Sequence, residues 1–69
     1  MDKKAWIGSF GQHGGPLEGQ NFFVYTEGGY LCGSGRLSSM MGKAAVFQNP
    51  DGFERAVQFA RDHGYEVCI

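Results

Sequence analysis

The chain has no long apolar run, two prolines, two cysteines and, from residue 5 to residue 35, no lysine or arginine. Each shortage excludes something. The longest unbroken apolar stretches, residues 22–25 and 44–47, are four residues each, whereas a membrane-spanning helix needs about 20. No apolar leader follows the basic start, so a cytoplasmic location is expected, without membrane attachment. Cys32 and Cys68 make no disulfide framework and read as free thiols that pack as small apolar groups. Between residues 5 and 35 the only charges are Glu18 and Glu27. That stretch lacks the clustered cations of a phosphate-binding surface. With 69 residues, the chain has room for one domain, residues 1–69, and none for a two-domain enzyme, a dinucleotide fold or a TIM barrel.

What is present is glycine and aromatic side chain. Ten of the 12 glycines fall in the first 42 residues. Leu, Ile, Val and Phe together number 15 of 69, just above the composition of chains too polar to fold. Residues 5–10 alternate large and small and predict a strand. Residues 11–20, GQHGGPLEGQ, predict a loop. Residues 21–27, NFFVYTE, are rich in aromatic and β-branched side chains and predict a strand. Gly28-Gly29 then predicts a primed hairpin turn, with residues 30–35 as the return strand. In that register Gly33 lies across from Val24, and Gly35 across from Phe22. Alternation turns Phe22, Val24 and Leu31 to one face and Phe23, Tyr25 and Tyr30 to the other, with Cys32 beside them.

Residues 36–42 predict a loop and 43–48 a strand. Asn49, Pro50 and Asp51 predict a helix start, Asp51 and Glu54 having capping-box spacing. Phe53, Ala56, Val57 and Ala60 recur on one helical face. Gly64 predicts a left-handed end cap, and residues 65–69 a last strand. The expected architecture is α+β: a mostly antiparallel sheet of four to five strands with one helix on one face, in the order β-β-β-β-α-β.

No motif for chemistry survives inspection. Gly42-Lys43 lacks the upstream glycine spacing and the following Ser or Thr of a phosphate loop. Gly33-Ser34-Gly35 lacks the third glycine of a dinucleotide fingerprint. His13, Cys32, His63 and Cys68 have metal-ligating atoms but no short ligand spacing. Ser34, Ser38 and Ser39 with His13 or His63 supply nucleophile and base types without a nucleophile elbow. Glu18 and Glu27 read as solvated charges. No enzyme, cofactor or metal site is expected.

The segment GKAAVFQNPDGFERAV, residues 42–57, resembles the third strand and second helix of an RNA-recognition motif. Ala44 and Val46 stand where that family carries base-stacking aromatics. In size, and in a β-rich chain closing with residues 45–69, the protein also resembles small phage and mobile-element accessory proteins, among them anti-CRISPR inhibitors. That resemblance implies steric blockade of a larger protein or nucleoprotein complex. The blocking surface would be the aromatic patch and the loop from Arg36 to Lys43. The residues expected to meet a partner are Trp6, Phe23, Tyr25, Tyr30, Arg36, Met40, Met41 and Lys43. Aromatic, charge-poor patches suit protein interfaces. The alternative is a stacking platform for single-stranded nucleic acid. Direct nucleic-acid binding is disfavoured because no cation precedes Arg36 in the hairpin. The same face could instead serve a homodimer.

Overall fold

The computed structural model of the chain describes residues 3–11, 21–48 and 50–68. The predicted loop from residue 12 onward, His13, Glu18, the Asn49 cap and the end of the last strand at residue 69 lie outside them. The expected α+β class holds. The strands are β1 (Lys4–Phe10), β2 (Asn21–Thr26), β3 (Gly29–Leu31), β4 (Leu37–Ser38), β5 (Phe47–Gln48) and β6 (Glu66–Cys68), with one helix, α1 (Gly52–Asp62), between the last two. They form one six-stranded sheet ordered β4-β3-β2-β1-β6, with β5 pairing the start of β2. All pairings are antiparallel except β1 with β6, which run parallel. Six strands, two of them only two residues long, replace the four to five expected.

The β2–β3 turn sits one residue earlier than predicted. Thr26 pairs with Gly29 and Tyr25 with Tyr30, leaving Glu27-Gly28 as the connection. The Thr26 hydroxyl is the reason. It accepts from the Gly28 N–H at 3.0 Å and donates to the Gly29 carbonyl at 3.0 Å, a side-chain closure that competes with a purely backbone turn. Only Gly29 of the pair takes a positive φ, +131°.

The return strand is also shorter than predicted. β3 stops at Leu31, and residues 32–35 turn the chain back. The Cys32 N–H donates to the Arg36 carbonyl at 2.8 Å, and the Gly35 N–H to the Cys32 carbonyl at 2.9 Å. Part of the predicted 36–42 loop becomes β4, which pairs Tyr30 with Ser38 and Leu31 with Leu37. Gly33 and Gly35 are therefore not spacers opposite Val24 and Phe22. A Cβ on Gly33 would meet nothing within 4 Å, and Gly35, at φ +90°, lies against the His63 ring. Of the predicted strand over 43–48, only Phe47 and Gln48 join the sheet. Ala44 makes a single bridge to Cys32, and residues 41–43 form a 3-10 turn.

The core lies between the sheet and α1. Ala5, Val24, Leu31, Ala56 and Ala60 are fully buried there, with Ile7, Phe22, Phe47, Phe59, Tyr65 and Val67 packed around them. Two alanines one helical turn apart let the helix come close to the strands. The predicted apolar arc is right in Ala56, Val57 and Ala60 but wrong at its edge. Phe53 is 38% exposed and touches Phe22 edge-on at 5.9 Å. Phe59 packs in its place, 5.3 Å from Phe47. The arc is centred on Ala56, so both Phe53 and Phe59 lie on its flanks, and the sheet covers the second.

Asp51 precedes α1, but its carboxylate makes no capping bond, so the predicted capping box does not form. The other end is as predicted. Gly64 takes φ +86°, its N–H bonds Arg61 and the Tyr65 N–H bonds Ala60, both at 3.0 Å. This pair of bonds satisfies the last helical carbonyls and drops Tyr65 onto the core.

Candidate functional site

One face of the sheet packs on α1; the other carries rings. Alternation along β1 puts Lys4, Trp6, Gly8 and Phe10 on the outer side, and the register sets Trp6 beside Tyr25 and Gly8 beside Phe23. Tyr30 joins from β3 opposite Tyr25. Five rings then make a connected chain. Trp6 stacks on Tyr25 at 5.8 Å with an interplanar angle of 22°. Phe23 is the hub, 6.1 Å from Phe10, 6.0 Å from Tyr25 and 5.7 Å from Tyr30. Such pairs each contribute about 0.5–1.5 kcal/mol beyond area burial. Among the described residues no helix or strand covers this face.

The hub is held by a missing side chain. A Cβ on Gly8 would stand 2.3 Å from Phe23 Cζ, so the Phe23 ring lies flat over the Gly8 backbone. That close approach leaves Phe23 only 8% exposed although it points away from the helix. Tyr25 keeps 39% of its surface in water, while Trp6 and Tyr30 are half-buried. The expected patch is thus a solid aromatic layer. Phe23 is its interior and Tyr25 its most exposed ring.

At the Phe10 end the layer opens into an apolar hollow of about 350 Å³, lined by Phe10, Phe23, Met41, Gly42 and Val46. Met40 (59% exposed), Met41 and Val46 extend the apolar surface beyond it. Met41 was expected at a partner surface; Val46 and Gly42 were not. Their only trace in the sequence is that Val46 lies in the apolar stretch 44–47 and Gly42 ends the loop predicted before it.

The remaining expected residues, Arg36 and Lys43, are exposed. Lys43 follows Gly42 directly, and Arg36 is tied by its carbonyl to Cys32, which bridges Ala44. No acid occurs between residues 28 and 48, where the cations are Arg36 and Lys43. At the opposite end Lys4 pairs in register with Glu66.

The groups with chemical potential are not assembled. Cys32 and Cys68 are both free thiols and half-buried. Among the described residues no three His, Cys, Asp or Glu side chains come together as a metal site. Ser38 Oγ accepts from the Met40 N–H at 3.1 Å. His63 donates from Nδ1 to the Phe59 carbonyl at 2.9 Å and packs on the Phe59 ring at 4.5 Å, the two planes tilted by 57°, so its ring is used in closing the helix. Among the described residues no helix is long and apolar enough to cross a membrane.

Fold and face together define a small α+β domain with one helix-covered sheet face and one aromatic face. No protein-family model matches the chain, and no curated protein or solved structure matches it at a significant level.

Proposed function

We propose that the protein is a non-catalytic binding module that docks its aromatic sheet face on a protein partner. It would act by occluding the surface it covers, as an inhibitor of a larger protein or nucleoprotein complex does. One observation carries the reading: five rings in mutual contact cover the sheet face opposite α1, with Tyr25 39% exposed. Aromatic side chains with little charge around them are the composition of interface cores, and a rigid ring layer loses little conformational entropy when covered. A nucleic-acid platform needs cations along the path of the phosphates. Here the middle of the face carries no charge: Lys4 lies at one end, in register with Glu66, and Lys43 at the other.

The test uses the single tryptophan. Trp6 stacks on Tyr25 within the face, so a partner covering it changes Trp6 emission. The full chain is used to capture partners from lysate of its source cells, alongside Tyr25→Ala. Retained protein and nuclease-sensitive material are quantified separately, and the captured species is then titrated against Trp6 fluorescence. A protein retained by wild type, lost with Tyr25→Ala and altering Trp6 emission is the expected result. Retention of nucleic acid alone overturns the reading, as does self-association that accounts for all binding and disappears with Tyr25→Ala.

A further inference from the structure

We infer that the hollow between Phe10, Phe23, Met41, Gly42 and Val46 is an anchor pocket. It takes one aliphatic or aromatic side chain from a partner segment whose flanking residues are acidic. The inference rests on the protein-binding reading above and names the chemistry of the partner.

The first argument is Gly42. Glycine is disfavoured relative to alanine unless the backbone needs positive φ or a neighbour comes too close. Neither condition applies. The described glycines with positive φ are Gly29, Gly35 and Gly64, and a Cβ on Gly42 would meet no atom within 4 Å. Nothing among the described residues requires a bare backbone at Gly42, yet Gly42 lines the hollow. Its physical effect is to keep the pocket open, so that another chain can approach closely. Gly33 is equally unconstrained among the described residues and is not part of this lining.

The second argument is the lining. It holds no charged group, and its volume, about 350 Å³, lies at the small end of ligand-sized cavities. A charged group entering it would lose hydration without a counter-ion. Met41 supplies a flexible, polarisable wall that adapts to different apolar shapes, against the fixed Phe23 ring. A pocket beside a ring layer is how interface anchors are held, with surrounding contacts excluding water.

The third argument is charge. Lys43 follows Gly42 directly and is exposed, and residues 28–48 hold no acid. The pocket is neutral, and the charge beside it, Lys43, is positive. Carboxylates beside the anchor complete that pattern, speeding encounter and setting orientation.

The test reads the methionine and valine methyl resonances of the full chain during titration with three capped tripeptides: Glu-Leu-Glu, Glu-Gly-Glu and Lys-Leu-Lys. The expected result is saturable shifts of the Met41 and Val46 methyls with Glu-Leu-Glu. They weaken with Lys-Leu-Lys and with added salt, and vanish with Glu-Gly-Glu. Gly42→Phe fills the pocket and abolishes the shifts while the core spectrum is unchanged; Val46→Glu does so by charging the wall. Lys43→Glu reverses the preference between the two leucine peptides. Equal shifts with Glu-Gly-Glu, or shifts that persist in Gly42→Phe, overturn the pocket. With a captured partner, Gly42→Phe lowers affinity roughly tenfold or more, the scale of a lost hot spot. A partner that binds wild type and Gly42→Phe equally overturns the pocket and leaves the protein-binding reading standing. Peptide shifts as expected, without any protein partner, leave the pocket and overturn the broader reading.

Discussion

Gly8→Ala is the sharpest test of the outer face, because structure and propensity predict opposite signs. In an open strand position, replacing glycine by alanine stabilises by roughly 0.5–1 kcal/mol. At Gly8 the new Cβ would lie 2.3 Å from Phe23 Cζ and 2.8 Å from both Cε atoms, where ordinary contact begins at 3.4 Å. The ring must retreat by about 1 Å, and an overpacked site of this kind costs roughly 1–3 kcal/mol. Phe23 cannot retreat alone, since Phe10, Tyr25 and Tyr30 all pack on it. In a domain of this size the loss lowers Tm by roughly 5–20 °C. Urea and thermal unfolding followed by circular dichroism measure it, and Trp6 emission reports the ring layer separately. Gly8→Ala combined with Phe23→Leu recovers part of the loss, giving a coupling energy of about 1 kcal/mol in a double-mutant cycle. A neutral or stabilised Gly8→Ala would falsify the packing of Phe23 on the β1 backbone, and with it the account of why that ring is buried.

Four further outcomes follow from the packing. Leu31→Ala empties a fully buried site between sheet and helix and costs about 2–5 kcal/mol in urea unfolding. Phe53→Ala, at an exposed rim position, costs about 1 kcal/mol, whereas Phe59→Ala costs about 3 kcal/mol; equal losses contradict the orientation of α1. Gly64→Ala forces a side chain into the left-handed region at φ +86° and costs about 1–2 kcal/mol, visible as faster amide exchange in the last helical turn. Tyr25→Ala, at 39% exposure, leaves Tm within a few degrees of wild type but removes partner binding; unfolding of this variant without partner assigns Tyr25 to the core instead.

Local rules carried the sequence reading as far as they operate. Alternation assigned Phe22, Val24 and Leu31 to the helix side and Phe23, Tyr25 and Tyr30 to the other. A register shift of two residues leaves every side chain on its face, so this survived the misplaced turn. The α1 end was legible because the Gly64 cap is a property of a few consecutive residues. The turn itself was missed because the Thr26 hydroxyl outcompeted the Gly28-Gly29 pair. The short β3 was missed because the turn at residues 32–35 needs backbone bonds between Cys32, Gly35 and Arg36 that no periodicity signals.

The candidate pocket was less legible still. Met41, Gly42 and Val46 meet Phe10 and Phe23 only because residues 41–43 form a 3-10 turn and residues 45–46 stay outside the strands. Their meeting depends on contacts between segments more than 17 residues apart, beyond the reach of local pattern. By itself the sequence determined an α+β domain with two differently dressed sheet faces, because side-chain alternation and helical spacing are set by covalent geometry. Only the tertiary structure decided that Phe23 lies buried on Gly8, that Phe59 rather than Phe53 joins the core, and that Gly42 opens a hollow. Each of these is a matter of which distant surfaces touch, and close packing settles that for the whole chain at once.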